Sequence, residues 1–261
     1  MTPEEPPVNP DPAAASPEVP AAPEFLAAPP PERDPFWGYS DLLWFLCMAI
    51  TGMLAGWAVE WIAIKWLKLE TVSLAAGMLV MYGLLFGSLH LMFRVVYGRP
   101  FWRSLGWTPV RLPVMWVMIC GMATAVLVGL ASRVIHTPTG ENPMTQLMET
   151  PTDLLVIGAL SITMAPLCEE LAFRGFLQPL LVRSLGAVPG ILLAAVPFGL
   201  LHFQEYGNSW RHALIIAMAG VAFGCMRQAT GSTKAAAIMH AAYNSLFLIA
   251  LLTEKRILPH L

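Results

Sequence analysis

The sequence predicts an all-α membrane protein, a polytopic transmembrane helical bundle of seven or eight membrane segments enclosing a polar intramembrane cavity. Of 261 residues, 56% are hydrophobic and only 12% are charged, with a mean hydropathy of +0.61. A soluble domain usually carries about 25% charged residues. The charges are also uneven, because residues 1–41 hold eight of the 17 acids. What remains is a series of apolar blocks, each near the ~20 residues a helix needs to cross hydrocarbon. The net charge of −2 comes with no basic patch, so nothing points to nucleic acid. No feature bears on the oligomeric state.

Taken in order, residues 1–38 read as a disordered, Pro-rich, acidic tail. Residues 1–35 contain twelve of the 23 prolines, which can neither donate backbone hydrogen bonds nor build a core. A basic stretch followed at once by an apolar one is absent, so the tail does not read as a signal peptide. Residues 39–261 form the transmembrane domain. The first span covers Leu42–Ile64, with Trp44, Trp57 and Trp61 toward its ends and Lys65 and Lys68 behind it as interfacial anchors. The second runs over Thr71–Phe93, and a polar, aromatic loop with Arg94, Arg99, Arg103 and Arg111 follows. The third is Pro113–Ser132, and residues 133–152 form a loop.

A fourth helix starts near Thr152 and continues to Leu185. Its 34 residues, at ~1.5 Å each, are too long for one straight crossing, so a break near Pro166 is expected. Val188–Phe203, Arg211–Arg227 and Thr233–Leu252 complete the set. Around the first three spans, Arg33, Arg94, Arg99, Arg103 and Arg111 lie on the N-terminal side, against Lys65, Lys68 and Arg133 on the other. That asymmetry favours a cytoplasmic N-terminus. The short loops suggest a compact protein of the bacterial inner (cell) membrane.

The four cysteines, Cys47, Cys120, Cys168 and Cys225, form no C-x-x-C pair and read as buried free thiols. The acids beside Cys168 disfavour the thiolate a nucleophile would need.

Six polar residues fall inside apolar helices: Glu169, Glu170, Arg174, His202, His240 and Asn244. A charge at the bilayer centre costs about 2.5–3.5 kcal/mol on insertion scales, so pairing must recover most of it. Glu170 and Arg174 are four apart, share a helix face and can form an ion pair. Glu169 is turned about 100° from Glu170, so Arg174 cannot satisfy both. An acid without a partner in an apolar site is pushed toward the range of a useful base. His202 follows Phe198 by four, and His240 precedes Asn244 by four. Three helices would thus direct polar groups into one cavity. Singly, a helical His or a Glu–Arg pair is as readily a packing residue or a helix fastener; at paired spacing on three helices they point to a site. His90 and His136 have no such company. Glu205, Arg211 and His212 read as a solvated loop that could line an entrance.

At these residues the chain resembles the CPBP family, which includes the CAAX-prenyl endopeptidases related to Ras-converting enzyme. The E-E-x-x-x-R of Glu169, Glu170 and Arg174, the F-x-x-x-H of Phe198 and His202, and the H-x-x-x-N of His240 and Asn244 look like its three motifs, in its order. The likeness covers about residues 150–255. The resemblance implies an intramembrane glutamic endopeptidase without a cofactor. In it Glu169 is the general base, His202 helps to hold the water, and His240 with Asn244 forms the oxyanion hole. Glu170, Arg174 and Phe198 would support the site. Its partners would be the lipid bilayer and a peptide or protein substrate, prenylated or not.

Two alternatives stand beside it. Two His and a Glu could bind zinc, although H-E-x-x-H is absent and Arg174 would repel a cation. A non-catalytic scaffold or immunity protein could keep the same residues as polar fasteners.

Overall fold

The computed structural model describes residues 34–67, 70–140 and 142–254. The expected disordered tail falls outside these residues up to Arg33. From Asp34 onward the chain packs, and Trp37 is buried.

Among the described residues every regular element is helical. The long helices of the first half are α1 (Tyr39–Leu67), α2 (Glu70–Val95) and α4 (Val114–Val134). Two four-residue turns, α3 (Phe101–Ser104) and α5 (Pro143–Gln146), lie in the connecting loops. Next come α6 (Pro151–Ile162), α7 (Met164–Glu170), a π-helical segment Leu171–Leu177, and α8 (Gln178–Leu185). The chain ends with α9 (Ala187–Leu201), α10 (Trp210–Thr230) and α11 (Thr233–Glu254). Six helical stretches are long and apolar enough to cross a membrane, with Pro151–Leu185 counted as one, and α9 is a shorter apolar helix. Among the described residues, six spans and this shorter helix stand beside the seven or eight segments expected, slightly fewer than that expectation. Only 17–39% of each spanning window is buried, so most of its apolar side chains face lipid.

The expected break in the fourth segment falls at Thr163, whose φ of −123° and ψ of −80° leave the helical region. Proline explains the offset. Pro166 has no N–H to give the carbonyl of Ile162, four residues earlier, and its ring crowds that carbonyl. The helix therefore stops at Ile162 and restarts at Met164.

Lipid exposure also corrects the cysteine expectation. Cys168 is buried, but Cys47, Cys120 and Cys225 lie exposed on the apolar surface, where a thiol behaves as a small hydrophobe. Trp57, Trp61 and Trp66 are more than half exposed toward one end of α1, and the Lys65 ammonium sits 4.6 Å above the Trp61 ring.

In lipid no hydrophobic force pulls helices together, and close backbone approach at small residues takes its place. Gly52 and Gly56 on α1 meet the carbonyls of Met81 and Gly77 on α2, so these helices run antiparallel. On α4, a Cβ at Gly121 would collide with the Met239 carbonyl oxygen of α11. Gly121→Ala is expected to force α4 away from α11 and to lower stability by about 1–3 kcal/mol, the usual cost of overpacking. Thermal unfolding in detergent reads this directly.

The N-terminal face of the bundle is tied shut. Trp37 Nε1 donates to the Phe176 carbonyl at 3.2 Å, and stacks on the Phe176 ring at 5.4 Å. Thr233 gives its hydroxyl to the Leu105 carbonyl at 2.6 Å and its N–H to that of Gly106 at 2.9 Å. Tyr97 donates its phenol to Asp41 at 2.8 Å. Local burial first, then the Asp41 bond and charge, push that phenol up to about 12.

Candidate active site

The site forms where α7 passes into the π-helical segment. Glu169 and Glu170 end α7, and Arg174 lies inside the wider turn that follows. Single π-turns inside α-helices recur at functional sites.

Glu170 is fully buried, and its Oε1 accepts two hydrogen bonds. One comes from Arg174 Nη1 at 3.0 Å, which realises the i, i+4 pair read from the sequence. The other joins Oε1 to His240 Nδ1 at 3.0 Å. Arg174 is 1% exposed, so this ion pair lies wholly out of solvent. Its second arm donates from Nη2 to the Gly220 carbonyl at 2.7 Å, and the guanidinium lies 4.4 Å over the Phe198 ring. One turn on, Gln178 Nε2 repeats the pattern to the Gly224 carbonyl at 3.0 Å.

Gly220 and Gly224 form a G-x-x-x-G on α10 that lets these polar side chains reach backbone. A Cβ at Gly220 would stand 2.9 Å from Phe198 Cδ1 and 3.1 Å from Arg174 Nη2. Gly220→Ala should therefore displace the guanidinium and its aromatic cover together, costing about 1–3 kcal/mol. A melting temperature unchanged from wild type would show that the pocket has room there.

His240 is held on every side. Its ring stacks on Phe223 at 4.5 Å with the planes 20° apart, and meets Phe198 edge-on at 5.8 Å. With Nδ1 on Glu170, Nε2 points toward Glu169, whose Oε2 is 4.0 Å away. That oxygen has no hydrogen-bond partner, although the Glu169 side chain as a whole is 19% exposed. Glu169 thus carries a buried carboxylate oxygen that faces a histidine and makes no hydrogen bond.

His202 caps the C-terminus of α9. Its Nδ1 sits 2.8 Å from the Phe198 carbonyl, so Nδ1 carries a proton, and in the neutral ring Nε2 is the nitrogen with the lone pair. Asn244 donates from Nδ2 to the Ser161 carbonyl at 2.7 Å. Ser161 lies in the last turn of α6, where helix carbonyls lack intrahelical partners. Asn244 therefore fastens the break ahead of Glu169, and one amide hydrogen remains to donate.

Further groups that no motif singled out complete the surroundings. Tyr82 on α2 lies within electrostatic reach of Glu169 and Glu205. The 202–209 loop is more than a solvated connection. The Glu205 carbonyl accepts from Met144 N at 3.1 Å, Arg211 donates to the His136 carbonyl at 2.7 Å, and Tyr206 stacks on His212 at 4.8 Å. Although Glu205 is exposed, crowding protein atoms strip solvent from its carboxyl and push its pKa up. His202 opposes that shift, and the nearby Glu169 adds to it. Tyr206 is pushed up to about 12 by burial, then by Glu205 and Glu169. His90 remains apart on α2, exposed beside Phe101. Among the described residues no three His, Cys, Asp or Glu side chains gather as a metal site would need.

Residues 151–246 match the family model described as type II CAAX prenyl endopeptidase Rce1-like. The match covers 96 of the 261 residues, less than half of the chain. No curated protein and no solved structure matches. The Rce1-like region runs from the first residue of α6 to the middle of α11, and all seven residues of the three motifs fall inside it. The family implies a protease, and the spanning helices make this an integral, multi-pass membrane protein. The Rce1-like region also contains Gly220 and Gly224 but leaves out α1, α2 and α4, which supply Tyr82 and the partner face of α11.

Proposed function

We propose that the protein is an intramembrane glutamic endopeptidase that hydrolyses a peptide bond near the membrane surface. The observation that carries this reading is the unpartnered Glu169 Oε2, 4.0 Å from a histidine nitrogen whose ring is locked by Glu170. Water enters between Glu169 and His202, whose free Nε2 accepts one of its hydrogen bonds. Glu169 takes the proton as the oxygen attacks the scissile carbonyl. A doubly protonated His240 gives Nδ1–H to Glu170 and Nε2–H to the developing oxyanion, and the remaining Asn244 amide hydrogen is the second donor. Donors fixed in advance on the oxyanion are worth several kcal/mol in a water-poor site. When the intermediate collapses, the proton on Glu169 passes to the departing amine.

Glu170 and Arg174 act through His240 and do not touch substrate. The metal-free reading is favoured because Glu170 Oε1 is already occupied by two donors, one of them the cationic Arg174. The membrane proposed is the bacterial cell membrane, with the N-terminus inside.

The test is an assay of the full chain in detergent against a mixture of prenylated and unprenylated peptides, with and without a chelator. Cleavage untouched by chelation and lost in Glu169→Gln is the expected result, and the peptides cut begin to define the substrate. Loss on chelation would move the chemistry to a bound metal.

A further inference from the structure

We infer that a polar cavity on the N-terminal face of the bundle, outside the catalytic set, binds the headgroup of a phospholipid that carries both a phosphate and a primary ammonium, as phosphoethanolamine does. Binding there needs no cleavage and does not rest on the endopeptidase reading.

The cavity has a volume of about 210 Å³ and lies between Asp34, Ser104 of α3, Gln178 and Arg183 of α8, and Arg227 and Gln228 of α10. Asp34, Arg183 and Gln228 are exposed at its rim, and Gln178 is buried in its wall. A cavity of about 150 Å³ already holds benzene, so the volume is enough for a phosphate-sized group. Its level is that of the headgroups. The 21 residues of α10 span about 31 Å, close to the ~30 Å of hydrocarbon, and Arg227 and Gln228 stand in the last turn. Trp102 and Leu185, near Ser104 and Arg183 in the chain, are exposed apolar side chains of the kind that meet acyl chains.

Two cations line the cavity without a bonded acid. Arg183 Nη1 donates to the Pro35 carbonyl, and Arg227 Nε to the Arg174 carbonyl at 3.2 Å. A guanidinium has several N–H groups in a planar fork, so each arginine keeps donors for a further partner. Among the described residues the ion pairs all lie at Glu169, Glu170, Arg174 and His240, and no carboxylate bridges to Arg183 or Arg227. Such forks match phosphate oxygens two at a time.

The remaining groups suit a cation. Asp34 brings a carboxylate within electrostatic reach of Arg227. Ser104 gives its hydroxyl hydrogen to the Pro100 carbonyl at 2.7 Å, which leaves the oxygen as an acceptor. Gln178 Nε2 is bonded to the Gly224 carbonyl, and its buried Oε1 has no partner. Arg183 and Arg227 also stand in the last turns of α8 and α10, where helix C-termini carry partial negative charge. A plain anion would meet all of these unfavourably. A zwitterion places its phosphate on the arginines and its ammonium on the Asp34 side. A primary ammonium has three donors to give, and a quaternary one has none.

Native mass spectrometry of the full chain in detergent, with added dioleoyl lipids, tests this. One phosphatidylethanolamine per chain should be retained in preference to phosphatidylglycerol and phosphatidylcholine by about 10-fold or more, the worth of one charge-assisted hydrogen bond. Asp34→Asn should remove the preference over phosphatidylglycerol and still retain a phospholipid. Arg183→Gln should weaken retention of all three. Both positions are exposed, so the fold should hold. Thermal unfolding checks this, and the rise in melting temperature caused by phosphatidylethanolamine should be present in wild type and lost in Arg183→Gln. Equal retention of the three lipids, or many bound without preference, overturns the inference. So does a preference that survives both substitutions, because the lipid would then sit elsewhere. Glycerophosphoethanolamine, the same headgroup without acyl chains, should bind more weakly than the lipid. If it binds as tightly, the ligand is a soluble phosphoethanolamine and the lipid assignment fails.

Discussion

Glu169→Gln is expected to lower kcat/KM by about 10²–10⁴-fold, the usual contribution of a positioned general base, while leaving the folded state intact. The two halves of this expectation have different causes. Glu169 Oε2 makes no hydrogen bond, and the His240 Nε2 it faces is 4.0 Å away. An amide of the same shape therefore breaks no described hydrogen bond, and the melting temperature should move little. The amide cannot take a proton from water, so the chemical step loses its base. A catalytic role thus appears as lost turnover at constant stability. A structural role would appear as lost stability, with turnover falling only as the folded fraction falls. Wild-type cleavage by a well-folded Glu169→Gln protein would remove Glu169 from the reaction.

Much of this site was legible before any fold was known, because helix geometry makes four-residue spacing informative. Glu170 and Arg174 could be paired from the sequence alone, and they are paired. The same spacing said that Phe198 and His202 share a face. The bond between them uses the Phe198 backbone carbonyl, and the Phe198 ring instead covers Arg174. Contacts between helices were not legible. His240 takes Glu170 as its Nδ1 partner and leaves Nε2 toward Glu169, a choice fixed by how α11 lies across α7. Tyr82 was invisible for a similar reason. It comes from α2, some ninety residues before the motifs, in a helix whose composition reads only as apolar. One signal was present and passed over: Gly220 and Gly224 stand four apart in a helix, the pattern that lets a neighbouring element come close. What comes close here is a guanidinium and an amide.

Breaking the buried pair should have the largest effect on stability. Glu170→Gln leaves the fully buried Arg174 guanidinium without its bonded carboxylate, and Arg174→Met leaves the Glu170 carboxylate with only the His240 ring as its partner. Stranding one member of a buried ion pair costs about 3–5 kcal/mol. An exposed i, i+4 pair is worth only about 0.3–0.5 kcal/mol. The size of the loss in thermal or denaturant unfolding therefore reports the burial itself, and a cost near the lower figure would contradict it. The double substitution Glu170→Gln with Arg174→Met removes both charges, so it should be less destabilising than the two single costs added together. Stability and cleavage should then separate. The amide oxygen at position 170 could still accept a hydrogen bond from His240 Nδ1, but a neutral amide holds that N–H less firmly than a carboxylate does. A double variant that regains stability yet stays slow would show that the pair is kept for the histidine above it. One that regains both would show that the charges serve the fold alone.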